Sequence, residues 1–260
     1  GQQPMESNCG RYVIVYNGEI YNYLELKNDY LFDYKFKTTS DTEVLLAAFL
    51  LWGENCLKKL NGMFAFAIYD KEERKLILAR DPLGIKPLYY CELNGSLIFA
   101  SEMKCILSYK EYNVSPNLEG LADYFVFQYT LRDKTMFKDI KKVLPGHWME
   151  YKRSGFRSTK YFDLHFDLVE SDYSNCVEEF DRLLDAAVNV HLRSDVPLGA
   201  HLSGGLDSGL ISAKATKKSN KFFYLDNCIS NLHFKPESIL GQRIYNYPFK
   251  KSQLRGTIVG

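Results

Sequence analysis

The stretch Leu202-Ser203-Gly204-Gly205-Leu206-Asp207-Ser208 combines residue types that can hold a phosphate chain. Ahead of it, residues 195–201 end in a short, largely apolar run that reads as a buried strand. Behind it, residues 210–217 have the Ala, Leu and Lys content of a helix. Strand, glycine pair, then helix is a context in which backbone N–H groups and a helix N-terminus cradle phosphate. Gly204 and Gly205 permit the close backbone approach that a large anion needs, and Ser203 and Ser208 add hydroxyl donors at the two ends. Asp207 would repel a phosphate placed directly on it. It suits a magnesium ion, which takes one or two carboxylates together with phosphate oxygens. The loop lacks the Gly-Lys-Ser/Thr ending of a Walker A motif. A plain Gly-Gly turn with an Asp-Ser helix cap is the local alternative, and the serines, the aspartate and the strand–helix context together outweigh it.

A second group of polar residues lies near the start of the chain. The run 11–16 is rich in β-formers, and Asn17-Gly18 reads as a turn that ends it. Residues 19–26 then drift into helix. Ser40-Asp-Thr-Glu43 is a capping box that opens an apolar helix over 44–52, and the local role of Asp41 is a first-turn carboxylate facing the helix dipole.

The elements that must position these groups follow in order. Residues 63–69 alternate large and small apolar types, and 75–79 form a returning strand after a charged turn. Arg80-Asp-Pro-Leu-Gly-Ile-Lys-Pro87 is a loop stiffened by two prolines. Residues 88–92 and 97–100 make a hairpin about Asn94-Gly95, and Ser101 starts another capped helix. An amphipathic helix is expected over 118–129, strands and turns over 135–155, and a linker near 151–172. A strong helix spans 172–193, with Val177, Phe180, Leu183, Leu184, Ala187, Val188 and His191 recurring at three- and four-residue steps. That places His191 in a core or interface rather than in catalysis. Beyond Lys218, residues 222–234 have some strand character and the remainder shows no clear period.

At 260 residues the chain makes one large domain or two modest ones. Its 33 basic and 32 acidic residues form no basic block, which argues against a nucleic-acid partner. The six cysteines, Cys9, Cys56, Cys91, Cys105, Cys176 and Cys228, contain no Cys-x-x-Cys and no close pairing with His, so a disulfide framework or zinc site is not expected. A reducing cytoplasm fits that pattern. The longest apolar run, 44–52, is too short to span a bilayer, and the amino end carries no secretory core.

The Ser-Gly-Gly-Leu-Asp-Ser loop resembles the pyrophosphate-binding loop (PP-loop) of ATP pyrophosphatases. Gln3-Pro4-Met5, 16–22, 40–43, 61–67, 80–89 and 100–104 resemble the glutaminase half of glutamine-hydrolysing asparagine synthetases, and 193–197 with 203–208 resemble the opening of the synthetase half. The motifs run in the family's order from about Gln2 to about Lys218. The resemblance implies an α+β unit over 1–155, an incomplete αββα glutaminase domain of the N-terminal-nucleophile (Ntn) type. After it would come the start, over 172–218, of an α/β domain like the adenine-nucleotide α-hydrolases, with an unassigned tail over 219–260. It implies ATP-dependent amidation of aspartate by way of aspartyl-AMP, with glutamine as nitrogen donor and Mg²⁺ as cofactor. Asn17 and Gly18 would supply oxyanion-hole donors, Glu19 and Asp41 would hold the α-amino group of glutamine, and Leu202 with Ser203–Ser208 would bind ATP. A homodimer is compatible with it.

The chain departs from the family pattern in two places. Neither the family's nucleophilic first-position cysteine nor its Arg-Gly-Pro-Asp loop is found, Cys9 lies beside a turn, and no later ATP-site loop follows Lys218. A fragment without glutaminase activity is the expectation. The alternatives are an amidotransferase acting on another carboxylate, a sugar acid or β-lactam precursor, and a non-catalytic glutamine-binding remnant. The loop assignment predicts that Asp207→Ala removes magnesium-dependent ATP binding in a calorimetric titration while Ser212→Ala leaves it intact. Equal losses from both substitutions would refute the assignment.

Overall fold

A computed structural model describes residues 2–153, 155–168, 170–194, 198–218 and 223–226. The chain divides after Leu168 into two compact units.

The first unit contains a six-stranded antiparallel sheet. Its strands, in spatial order, are β1 (Met5–Glu6), β2 (Tyr12–Ile20), β3 (Gly62–Asp70), β4 (Lys75–Arg80), β8 (His147–Lys152) and β9 (Gly155–Lys160). A three-stranded sheet is ordered β6 (Ser96–Ala100), β5 (Tyr89–Leu93) and β7 (Lys141–Lys142). The large–small alternation of β3 explains how layers form on both faces of the first sheet. Phe64, Phe66 and Ile68 point to one side and pack with Leu26 of α1 (Tyr23–Asp29) and with Val44, Leu45 and Ala48 of α2 (Asp41–Trp52). Ala65 and Ala67 point to the other side, where Leu78 and Met149 meet Leu88, Tyr90 and Val143 around the second sheet. Small residues there let two sheets pack closely. Outside that sheet, Cys91 and Ile140 pack with Ile106 of α3 (Met103–Leu107). The order is helix, sheet, sheet, helix, as the αββα expectation required.

Several local expectations change. Asn17-Gly18 does not end the first strand, because β2 stays paired with β3 as far as Ile20↔Gly62. Part of the expected linker is the edge strand β9, paired with β8 from Lys152↔Gly155 to His147↔Lys160. Its exposed, polar sequence hides the strand signal. Ser101 does not cap α3, whose N-cap is Glu102 without a side-chain bond. The helix expected over 118–129 forms as α4 (Leu118–Phe127), yet Leu118, Phe125 and Val126 lie exposed on it. The Asn94-Gly95 hairpin forms as expected, with both residues at positive φ.

In the second unit, α5 (Tyr173–His191) and α6 (Leu206–Lys218) flank β10 (Gly199–Leu202). On α5, Val188 is buried whereas Val177, Phe180 and Leu183 are exposed. His191 is exposed, its Nδ1 lying 2.7 Å from the Ala187 carbonyl oxygen, so it is not a core histidine. The strand expected at the end of 195–201 forms as β10, though its residues are exposed or half-buried rather than buried, and it pairs in parallel with β11 (Phe223–Asp226). The remainder of the 219–260 tail lies outside the described residues. Among the described residues, no helix is long and apolar enough to cross a membrane.

One ion pair ties the far end of the first sheet. Arg11 grips the fully buried Asp70 carboxylate with two nitrogens, at 3.0 and 2.7 Å, and the amides of Glu72 and Glu73 donate to the same group. These donors, the Arg11 guanidinium foremost, lower the Asp70 pKa from 3.8 to about 2. A carboxyl depressed on folding contributes stability above its unfolded value and loses it as pH falls through the folded one. Asp70→Asn is therefore expected to cost about 2 kcal/mol in urea unfolding at neutral pH. The gap should narrow as the pH falls from 3.8 towards about 2. A pH-independent difference would show that the pair does not act through charge.

Candidate functional site

The first site lies on β2 and on the start of α2. Gly18 and Gly62 set its geometry. A Cβ on Gly18 would sit 2.2 Å from the Met63 carbonyl oxygen and 2.7 Å from the Phe64 Cα. A Cβ on Gly62 would sit 2.2 Å from the Glu19 carbonyl oxygen. Neighbouring strands thus close upon one another over the segment 17–19, and any side chain at either glycine would force them apart.

Asp41 holds the same segment from the helix side. Its Oδ2 accepts the Tyr16 hydroxyl at 2.8 Å and the Ile20 amide at 3.0 Å, so one carboxylate oxygen bridges the strand on both sides of Asn17-Gly18-Glu19. Ser40 caps α2 by accepting from the Thr42 amide at 3.2 Å. Glu43 does not complete a capping box. Its buried carboxylate instead accepts the Lys37 and Thr38 amides and the Thr38 hydroxyl, fixing the loop that delivers Asp41. Tyr16 is pushed far above the ordinary phenol range, first by burial and then by the Asp41 charge, so its hydroxyl remains a donor.

Alternation along β2 places Asn17 on the opposite face from Tyr16. The Asn17 amide donates to the Ser101 hydroxyl at 3.3 Å, joining β2 to the end of β6. Asn17 is exposed, whereas Gly18, Glu19 and Asp41 are half-buried. Asn17 and Asp41 therefore attach to one short segment from its two sides.

Beside this segment, the buried Asp81 carboxylate accepts four amides: Phe64 at 3.2 Å, Leu83 at 3.1 Å, and Ile85 and Lys86 each at 2.9 Å. Arg80 reaches back to the carbonyls of Lys86, Gly84 and Val143. The Arg80–Pro87 loop is thus held by the Asp81 and Arg80 side chains as well as by its two prolines.

The second site is the turn from β10 into α6. Ser203 and Ser208 lie with their hydroxyl oxygens 3.0 Å apart, and Ser208 donates to the Gly205 carbonyl at 3.1 Å. Gly204 has φ +79, a conformation that glycine adopts without strain. Asp207 stands exposed in the first turn of α6, and Leu202 ends β10. The first N–H groups of a helix have no partner within it and present a positive dipole end to anions. Further along, Lys214 is clamped by Asp181 at 2.7 Å and Asp185 at 2.8 Å of α5. Among the described residues, no cluster of three His, Cys, Asp or Glu side chains could hold a metal by protein ligands alone.

The glutamine amidotransferase domain model matches residues 1–162. The chain belongs to that family. Downstream of this amidotransferase unit, the asparagine synthase model matches residues 179–234, past Lys218. The resemblance to glutamine-hydrolysing asparagine synthetases is borne out by curated relatives. Asparagine synthetase [glutamine-hydrolyzing] 1 of Bacillus subtilis (strain 168) is 42% identical over 217 residues, covering 83% of this chain and 34% of that protein. Putative asparagine synthetase [glutamine-hydrolyzing] 2 of Methanocaldococcus jannaschii is 39% identical, over 76% of this chain and 39% of its own. Amidase chyE of Penicillium rubens is 32% identical, over 82% of this chain and 32% of its own. The chain spans about a third of the length of these relatives. Among solved structures, the glutamine phosphoribosylpyrophosphate amidotransferase from B. subtilis is 20% identical with a TM-score of 0.44, covering 89% of this chain and 49% of that one.

The glycine contacts of the amidotransferase unit give a direct check. Gly18→Ala and Gly62→Ala are each expected to lower unfolding free energy by about 2–4 kcal/mol, since backbone rather than a flexible side chain must move. Alanine at Gly209 in α6, where a Cβ meets nothing within 4 Å and the backbone is helical, should cost clearly less in the same chemical-denaturation series. Equal costs at all three would remove the close strand approach as their cause.

Proposed function

We propose that the amidotransferase unit binds L-glutamine at Asn17, Gly18, Glu19 and Asp41 as the nitrogen-donating part of an ATP-dependent asparagine synthetase. The observation that carries the reading is the bridging of Asn17-Gly18-Glu19 by Asp41, which fixes polar donors and carboxylates about one short segment. Asn17 and the Gly18 amide suit an oxygen that gains negative charge when an amide is attacked, because donors fixed in advance need no reorganisation. Glu19 and Asp41 suit the ammonium of the amino acid, through charge-assisted hydrogen bonds.

The loop Leu202–Ser208 binds the pyrophosphate end of ATP in this reading. The close Ser203–Ser208 pair, Gly204 and the start of α6 supply hydroxyls and backbone amides for phosphate oxygens. Asp207 supplies one carboxylate for Mg²⁺, and phosphate oxygens complete such a site. The aspartate carboxylate would attack the α-phosphorus of ATP, releasing pyrophosphate and giving aspartyl-AMP, and ammonia from glutamine would displace AMP to give asparagine. Support comes from the order of the two family matches and from the names of the relatives. The similarity to the protein named Amidase chyE favours a second reading, in which the same unit serves a different carboxylate acceptor.

Calorimetric titration with L-glutamine tests the donor half. Saturable binding is expected, weakened at least about tenfold by Glu19→Gln, the cost of losing one charge-assisted contact. Affinity unchanged by that substitution would remove Glu19 from the ammonium site.

A further inference from the structure

We infer that Tyr16 is a positioning residue for amino-acid recognition, holding Asp41 so that one carboxylate oxygen faces the ammonium of the ligand. The inference rests on the glutamine reading of this site and adds to it a residue outside the Asn17–Glu19 and Asp41 set.

The two oxygens of Asp41 have different surroundings. Oδ2 receives the Tyr16 hydroxyl at 2.8 Å and the Ile20 amide at 3.0 Å. Oδ1 meets the Ser40 hydroxyl at 3.5 Å, the outer limit for such a bond. A carboxylate has about four lone-pair sites, and two good donors on one oxygen leave the other to accept from a cation. The torsion that turns a carboxylate about its Cβ–Cγ bond is broad, so position must come from partners rather than from rotamer preference. Ile20 alone gives one contact. Tyr16 gives the second, from the other side of the site segment.

Tyr16 is itself held on its backbone. Its amide donates to the Gln3 side-chain oxygen at 2.6 Å, and the Gln3 side-chain nitrogen donates to its carbonyl at 2.9 Å. The Gln3 amide thus continues, by side chain, the pairing that β1 makes with β2 at Met5↔Ile14 and Glu6↔Val13. The Tyr16 ring packs against the core between β2 and α2. Burial and the neighbouring Asp41 charge keep the phenol protonated throughout the range in which an amino acid is an ammonium. A phenylalanine would fill the same space. The hydroxyl is what reaches the carboxylate.

Tyr16→Phe separates packing from positioning, since it removes one oxygen and keeps the ring. The readout is the ratio of affinities for L-glutamine and for glutaramate, the same molecule without its α-amino group, measured by calorimetry on the full chain. A purely structural role would weaken both ligands alike and leave the ratio unchanged. The expectation is a fall in the ratio of about tenfold, one charge-assisted hydrogen bond's worth, with the thermal midpoint altered little. An unchanged ratio overturns the role of Tyr16. Asp41→Asn must lower the ratio as well. If Asp41→Asn leaves it unchanged, or if the parent chain binds neither ligand at millimolar concentration, the glutamine reading fails and the Tyr16 inference falls with it.

Discussion

The closeness of β2 and β3 is the constraint on which the amidotransferase unit depends. A glycine on each strand, Gly18 facing the Met63 carbonyl and Gly62 facing the Glu19 carbonyl, removes a Cβ that would collide with the partner's backbone. The ladder therefore runs unbroken from Tyr12↔Asp70 to Ile20↔Gly62, and Asn17 and Glu19 are carried by a strand rather than by a loop. A strand paired along its whole length is stiffer than a loop tip, and binding groups fixed on rigid elements lose less entropy when a ligand arrives. On the α2 side of the same strand, Tyr16 and Ile20 both donate to one carboxylate oxygen of Asp41.

Buried carboxylates do much of the remaining positioning, and each accepts at least two backbone amides. Asp81 accepts four of them, Glu43 accepts those of Lys37 and Thr38, and Asp70 accepts two besides the Arg11 guanidinium. An unpaired buried charge would be costly, whereas a carboxylate accepting several N–H groups organises a loop that lacks regular structure. Each of these carboxylates lies where the chain leaves a strand or enters a helix. Loops in this unit are accordingly shaped by specific charges rather than by turn propensities alone.

This explains which features could be read from the sequence. Helices with apolar periodicity and strands with alternating residues were legible, as were the Asn94-Gly95 turn and the strand-to-helix step at 202–208, because each rests on local signals. Asn17-Gly18 misled because the glycine serves close strand approach instead of a turn, and only the partner Gly62, far along the chain, reveals that. Ser101 looked like a helix cap and is instead the acceptor for Asn17, a contact between residues that sequence spacing cannot connect. β9 was missed because an exposed edge strand carries polar residues on both faces. Tyr16 looked like one more β-former, since nothing local marks a hydroxyl that bonds across layers.

The two candidate sites also differ in how they prepare for a ligand. At Asp41 the carboxylate is already bonded on one side, so the work of orienting it is done during folding, at the expense of burying a phenol and an aspartate together. At the 203–208 turn every residue but the half-buried Ser208 is exposed, and two serine hydroxyls bond each other where a phosphate oxygen would compete for them. A small zwitterion offers few contacts, and its recognition gains most from fixed geometry. A phosphate chain carries high charge and many acceptor oxygens, so a helix N-terminus with rotatable hydroxyls suffices to attract it. The rigid site thus suits the ligand with little charge, and the adaptable one suits the ligand with much.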